Sequence, residues 1–125
     1  MAIHGIGVDI EEVARVRDVI DRWGRSFTAK LFTEHEISYC ESRPAPHQHF
    51  AARFAAKEAL SKAMGTGWSG RFRWKDAEIT NDGAGKPHVI LHAHLAEVFA
   101  DVHIHVSMSH TASHVTAMVV IEKAA

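Results

Sequence analysis

Cysteine is nearly missing from this sequence: Cys40 is the single one in 125 residues. An intramolecular disulfide is excluded, and a reducing compartment is expected. Neither sign of charge dominates, with 14 Lys and Arg against 15 Asp and Glu. That balance gives no global attraction to nucleic acid or to a membrane surface. No apolar run approaches the roughly 20 residues that a membrane-spanning helix needs. The opening MAIHGIGVDIEE lacks the basic-then-apolar design of a secretory signal and has a carboxylate by position nine. A cytoplasmic protein is the expectation. Internal repeats, low-complexity tracts and linker-like stretches are also missing. So are an HExxH helix, a Cys/His cluster and a Gly-x-Ser-x-Gly elbow.

What is there suits an ordinary globular chain, at 46% hydrophobic and 23% charged residues. One domain over residues 1–125 is the economical reading. A domain of this size buries a workable core without disulfide or metal staples. It is also small enough that a deep site can be shared between subunits. Eleven histidines are many for this length, and several pair at i, i+2: His47/His49, His92/His94 and His103/His105. Zinc is one reading of those pairs. Solvated or packing histidine is the preferred one, because zinc sites combine His with a third ligand and an ordering outer shell.

Residues 2–10 read as a strand, with Ile3, Ile6, Val8 and Ile10 apolar and glycines at 5 and 7 permitting close backbone approach. Residues 11–23 read as a helix with Val13, Val16, Ile20 and Trp23 on one stripe, and Gly24 as its C-cap. Thr33-Glu34-His35-Glu36 has capping-box form and starts a second helix, which the Ser42–Pro46 stretch breaks. Residues 47–64, rich in Ala, Leu, Lys and Glu, form the clearest helix, ended by Gly65-Thr66-Gly67. Strands follow at 76–80 and 88–91 around the turn Asn81–Pro87. A short helix is expected at 93–100 and strands at 103–109 and 115–122. The sum is an α+β fold.

Three segments carry polar groups suited to chemistry. In Gly-Val-Asp-Ile-Glu at 7–11, an extended backbone puts Asp9 and Glu11 on one side. Two carboxylates from one short segment suit a hard cation such as Mg²⁺. The alternative is that Asp9 caps the next helix while Glu11 and Glu12 complement its dipole. In the helix at 50–64, Arg53, Lys57 and Ser61 recur every four residues, with Glu58 and Lys62 on the adjacent stripe. That helix offers a carboxylate to a metal and cations to phosphates, or else it is a surface helix with an ordinary Glu–Lys pair. Val-Ser-Met-Ser-His at 106–110 is a strand exit bearing Ser107, Ser109 and His110. Such a group binds phosphate or handles a proton. Read as a nucleophile and base, it suggests a thioester hydrolase instead. A third reading is a binding module for carrier protein or nucleotide without turnover.

GIGVDIEEVARV, FAARFAAKEALSKAMGTG and VSMSH, in this order and spacing, resemble the holo-[acyl-carrier-protein] synthase family. This is the small bacterial type of the 4′-phosphopantetheinyl transferase superfamily. GAGKPHV resembles the family's turn-and-strand segment, and the likeness spans nearly the whole chain. The resemblance implies Mg²⁺-dependent transfer of 4′-phosphopantetheine from coenzyme A to a serine of apo-acyl carrier protein, in fatty acid biosynthesis. Adenosine 3′,5′-bisphosphate is the other product. It implies Asp9 and Glu58 as metal ligands, with Glu11 a direct or water-mediated third. Lys62 would meet the pyrophosphate, and Arg53, Lys57 and His110 the nucleotide phosphates. Gly85, Lys86 and Pro87 would lie beside the adenosine half. Glu58 and Lys62 take the catalytic roles, and the serine proton leaves to Glu58 or to a bound water. The acidic carrier would dock on Arg15, Arg22 and Arg25, helped by Arg17. The implied fold packs helices on a curved antiparallel sheet, in a homotrimer with a site at each interface.

Overall fold

The computed structural model describes residues 1–65 and 72–124. Strand β1 (Ala2–Glu12) leads into helices α1 (Val13–Trp23), α2 (Arg25–Leu31), α3 (Glu34–Glu41) and α4 (Pro46–Met64). A 3₁₀ turn at Trp74–Asp76 precedes the hairpin β2 (Ala77–Asn81) and β3 (Pro87–Leu91). Helix α5 (Ala93–Val98) and strands β4 (Val102–His110) and β5 (His114–Lys123) follow. The strands form a three-stranded antiparallel sheet, in the order β1-β5-β4, and the separate β2-β3 pair. The α+β expectation holds in this divided form.

Helix α4 is the centre of the packing. Ala51, Ala55, Ala59 and Ala63 repeat every four residues and are buried. The helix lies so close to β1 that a Cβ built on Gly5 would sit 1.8 Å from the Ala63 carbonyl oxygen. One built on Gly7 would sit 1.8 Å from that of Ala59. No side chain fits at either position, so the glycines set the distance between strand and helix. The inward face of β1 is therefore glycine, and its apolar residues point the other way. Ile6, Val8 and Ile10 remain 63%, 59% and 65% exposed. The inner face of β5, with Val115, Ala117, Val119 and Ile121, supplies the buried side chains of the sheet.

The first helix begins two residues later than the sequence suggested. Strand β1 runs on to Glu12, because its ladder with β5 continues through Glu11↔Val115 and Glu12↔His114. Asp9 therefore lies in the middle of a strand pair and caps no helix. Glu12 occupies the N-cap without a side-chain hydrogen bond. Val16 is buried on the expected stripe, whereas Trp23 is exposed with the Arg22 guanidinium over its ring. Gly24, at φ 53°, ends α1 and starts α2, a helix the sequence reading missed. The Thr33–Glu36 capping box is present in both directions. Pro46, read as a breaker, occupies the first turn of α4, where its missing N–H costs nothing. Gly65 caps that helix in the left-handed conformation, while Thr66 and Gly67 lie outside the described residues.

Candidate active site

The close approach of β1 to α4 brings two of the polar segments together. Lys62, one turn beyond Glu58 on α4, reaches β1 and donates to the Val8 carbonyl at 3.0 Å and to Asp9 Oδ1 at 3.2 Å. The Asp9 side chain is only 12% exposed, and its Oδ2 is buried without a hydrogen-bond partner. Thr116 Oγ1 donates to the Asp9 carbonyl at 2.9 Å, tying this point of β1 to β5. Burial raises the pKa of Glu58, the Asp9 charge raises it further, and Lys62 partly opposes both. Glu11, on the same side of β1 as Asp9, is pushed up to about 8. Its causes are burial, then the neighbouring Asp9 carboxylate, then Glu58, against the pull of Arg15. Three carboxylates thus face one region with Lys62 as the cation bonded to one of them.

That surplus of negative charge and the orphaned Asp9 oxygen fit a hard divalent cation. Magnesium takes one or two carboxylates and completes its shell with water and phosphate oxygens. Among the described residues, no three His, Cys, Asp or Glu side chains are placed to hold an ion between them. Asp9 and Glu58 suit the role of a ligand pair, with Glu11 beside it. Two adjoining clefts lie beside this region, bordered by Glu11 and not by Asp9, Glu58 or Lys62. One of about 300 Å³ is lined by Ile10, Glu11, Glu12, Arg15 and His114. The other, about 160 Å³, is lined by Ile10, His114 and the end of β4 at Ser109 and His110, with Thr111, Val115 and Thr116.

Other expected site residues fall differently. Lys57 is fully buried, and its ammonium donates to the Leu31 carbonyl, Glu36 Oε1 and the Trp74 carbonyl at 2.7, 2.8 and 2.9 Å. Its three protons are spent, so its assignment to the nucleotide phosphates is corrected to a core ion pair. Burial pushes the pKa of Lys57 down, and Glu36 opposes that shift. Arg53, 2% exposed, donates to Asn81 Oδ1 at 2.6 Å and lies 4.2 Å from the centre of the Tyr39 ring. Its Nε has no partner. Ser61 is buried and bonds back to the Glu58 carbonyl.

A basic cluster surrounds Arg53. Arg43 lies over the same Tyr39 ring at 4.8 Å, and His49 meets it edge-on. Burial, then Arg53, Arg43 and His110, hold the His49 pKa below its ordinary value. Tyr39 and Arg43 were not singled out from sequence, and His49 only as one of the paired histidines, although Tyr39/Arg43 and His49/Arg53 are both i, i+4 pairs on helices or their exits. His110 Nδ1 contacts Gln48 of α4, whose amide also reaches the Thr111 carbonyl. The described partner of His110 is thus an amide and neither Ser107 nor Ser109, which leaves the hydrolase reading without its nucleophile–base contact. Gly85 and Lys86 close the β2-β3 turn, and Pro87 begins β3 opposite Asn81. Of the paired histidines, His92 meets Glu78, His105 meets Glu122 and His47 meets Asp21.

Arg15, Arg17, Arg22 and Arg25 are exposed. Arg25 does not share a helix face with the other two, because the Gly24 break puts it on α2. There it pairs with Glu34 at 3.2 Å and Glu41 at 3.7 Å. Arg17 contacts Asp18.

The family model of the 4′-phosphopantetheinyl transferase superfamily matches residues 5–119. A holo-[acyl-carrier-protein] synthase of Protochlamydia amoebophila is 44% identical, covering 93% of this chain and 95% of its own. A crystal structure of the synthase from Neisseria meningitidis superposes with a TM-score of 0.88 at 34% identity, over 97% of this chain and 99% of that one. The Bacillus anthracis synthase, in complex with CoA (3′,5′-ADP), gives 0.85 at 34% identity, over 99% and 100%. The chain belongs to the 4′-phosphopantetheinyl transferase superfamily and, within it, to the holo-[acyl-carrier-protein] synthase enzymes.

Proposed function

We propose that this chain transfers 4′-phosphopantetheine from coenzyme A to a serine hydroxyl of apo-acyl carrier protein, with Mg²⁺, releasing adenosine 3′,5′-bisphosphate. The observation that carries this reading is the meeting of Asp9, Glu58 and Lys62, produced by the glycine–alanine contact of β1 with α4. Asp9 and Glu58 would hold the Mg²⁺, which when bound supplies positive charge against the pyrophosphate oxygens. Lys62, anchored on Val8 and Asp9 yet half-exposed, adds a second cation at the leaving pyrophosphate. Glu58, or a bound water, would take the serine proton. The Arg43, Arg53 and Lys86 cations and the His110 ring suit the nucleotide phosphates, with Gly85–Pro87 beside the adenosine.

The carrier would dock on α1 and the start of α2 through Arg15, Arg22 and Arg25. An acidic partner fits this surface, although Arg25 must exchange its contacts with Glu34 and Glu41. The outer face of the sheet suits self-association. Ile6, Val8 and Ile10 of β1 stand opposite Val120, Met118 and Thr116 of β5, so apolar side chains continue across both strands. Contiguous exposed apolar surface of this kind marks an interface. Ile10 lines both clefts of the site, so a homotrimer closed over this face would put each site at a subunit boundary. A cytoplasmic role in fatty acid synthesis fits the free, buried thiol of Cys40, which burial pushes up to about 12 and keeps unreactive.

The test is direct. Incubated with coenzyme A, Mg²⁺ and an apo-carrier, the protein is expected to add one phosphopantetheine mass to the carrier, and a chelator to abolish the gain. Charge reversal at Arg15 and Arg22 is expected to raise the KM for the carrier and leave that for coenzyme A in place. No mass gain on several carriers, or thioester hydrolysis instead, defeats the reading.

A further inference from the structure

The turn between β2 and β3 is held by two side chains that no part of the mechanism above uses. Asp82 Oδ1 accepts from the Ala84 N–H and the Lys86 N–H, each at 2.9 Å. The Asp82 N–H donates to the Lys86 carbonyl and the Asp82 carbonyl accepts from the Gly85 N–H, again at 2.9 Å. Asp82 Oδ2 meets His88 Nε2 at 3.0 Å on the returning strand. Asn81 Nδ2 donates to the Gly85 carbonyl at 3.0 Å, and its Oδ1 receives the buried Arg53 guanidinium of α4 at 2.6 Å. Gly85 sits at φ 86° with open space around it, so the turn needs its conformation and not its small size. The loop is thus closed upon Asp82 and wired through Asn81 to the helix that carries Glu58 and Lys62.

We propose that Asp82, acting with Asn81, is a positioning residue that presets the 83–86 loop to receive the adenosine half of coenzyme A. The inference rests on the transferase reading. The loop's amides at Ala84, Gly85 and Lys86 are spent on Asp82, so the loop meets the ligand with the Lys86 side chain and the Gly85–Pro87 surface. A loop ordered before binding loses less entropy when the ligand arrives. Because Arg53 holds Asn81, the nucleotide end of the site keeps a fixed distance from the carboxylate pair one turn and more along α4.

Two variants and two measurements test this. In Asp82→Ala, the KM for coenzyme A is expected to rise roughly tenfold, the scale of a lost charge-assisted contact set. The kcat and the KM for the carrier stay in place, and hydrogen exchange at the 84 and 86 amides accelerates. Asp82→Asn, whose side-chain oxygen still accepts from both amides, is expected to recover most of the coenzyme A affinity and the amide protection. An unchanged KM for coenzyme A in Asp82→Ala, an equal rise for both substrates, or unchanged exchange overturns the proposal while the transferase reading stands. Failure of the unaltered protein to bind coenzyme A, with its 84 and 86 amides protected, overturns the transferase reading and this inference with it.

Discussion

Asp9 holds a carboxylate oxygen out of water without a hydrogen-bond partner. An unsatisfied buried acceptor costs about 1–3 kcal/mol, and more when charged. A cation bound there removes that cost, so folding and metal binding are linked. Mg²⁺ is expected to raise the Tm of the unaltered protein and to leave Asp9→Ala and Glu58→Ala unshifted. Both variants are expected to stay folded and to lose turnover by roughly 100- to 1,000-fold, the usual range for removing an electrostatic stabiliser. A metal-induced shift that survives in both variants places the ion elsewhere. Glu11 predicts a pH signature of the metal-free protein. Its folded pKa of about 8 lies above the ordinary carboxylate range of the unfolded chain. Between those values the folded state keeps a proton the unfolded state has lost, so stability is present at low pH and falls as pH rises through the window. Urea midpoints without metal are expected to drop from about pH 5 to about pH 8, and Glu11→Gln to flatten the drop. A rise across that range in the unaltered protein contradicts the raised pKa.

At the scale of elements, α4 is held by two different devices. Against β1 it uses the absence of side chains, with Gly5 and Gly7 on the carbonyls of Ala63 and Ala59. Against α3 and β2 it uses a buried charge pair. Glu36 accepts from Lys57 at 2.8 Å, from the Thr33 N–H at 2.9 Å and from the Ile79 N–H at 3.0 Å. One carboxylate thereby joins a capping box, a helix and a strand, and Lys57 adds the carbonyls of Leu31 at the end of α2 and Trp74 in the 3₁₀ turn. Removing one partner leaves the other buried and uncompensated, at about 3–5 kcal/mol. Lys57→Ala is expected to lower stability to denaturant by that amount, while a Lys62→Ala variant, losing a half-exposed group, loses activity with little stability. Equal stability losses in the two would return Lys57 to the surface of the site. Lys57 fixes the turn of α4 that carries Glu58 against α2, α3 and the 3₁₀ turn.

For the whole molecule, the sheet is covered by α4 on one face and open on the other. The open face carries Ile3, Ile6, Val8, Ile10 and Met118, all well exposed. Sedimentation of the unaltered protein is expected to show a trimer, and Val8→Lys a smaller species with reduced turnover, since Ile10 of the same face borders the clefts. A monomeric unaltered protein with full activity rules out a shared site. The basic surface of α1 adjoins this face at Arg15, which lines one cleft with Ile10, so carrier docking and assembly would meet at the site.

The sequence by itself determined the element types apart from α2 and the 3₁₀ turn, most boundaries within one or two residues, and the identity of the acidic and basic groups. Those depend on local signals: the capping box at Thr33, the helix formers of 47–64 and the turn chemistry of 81–87. It also pointed to Gly5 and Gly7 as sites of close approach. Tertiary structure alone decided what each polar side chain does. Arg53, Lys57 and Ser61 share a helical spacing, yet Lys57 is sealed by Glu36 and two carbonyls while Arg53 reaches Asn81, because the neighbours come from α3, β2 and the 3₁₀ turn. The strand residues Ile6, Val8 and Ile10 read as apolar, with no face assigned, and turn outward because α4 demands glycine on the inner face. Asp9 read equally as a helix cap or a metal ligand. Its place in the β1-β5 ladder removes the cap, and the approach of Glu58 and Lys62 supplies the partners, which spacing 49 residues apart in the chain does not encode.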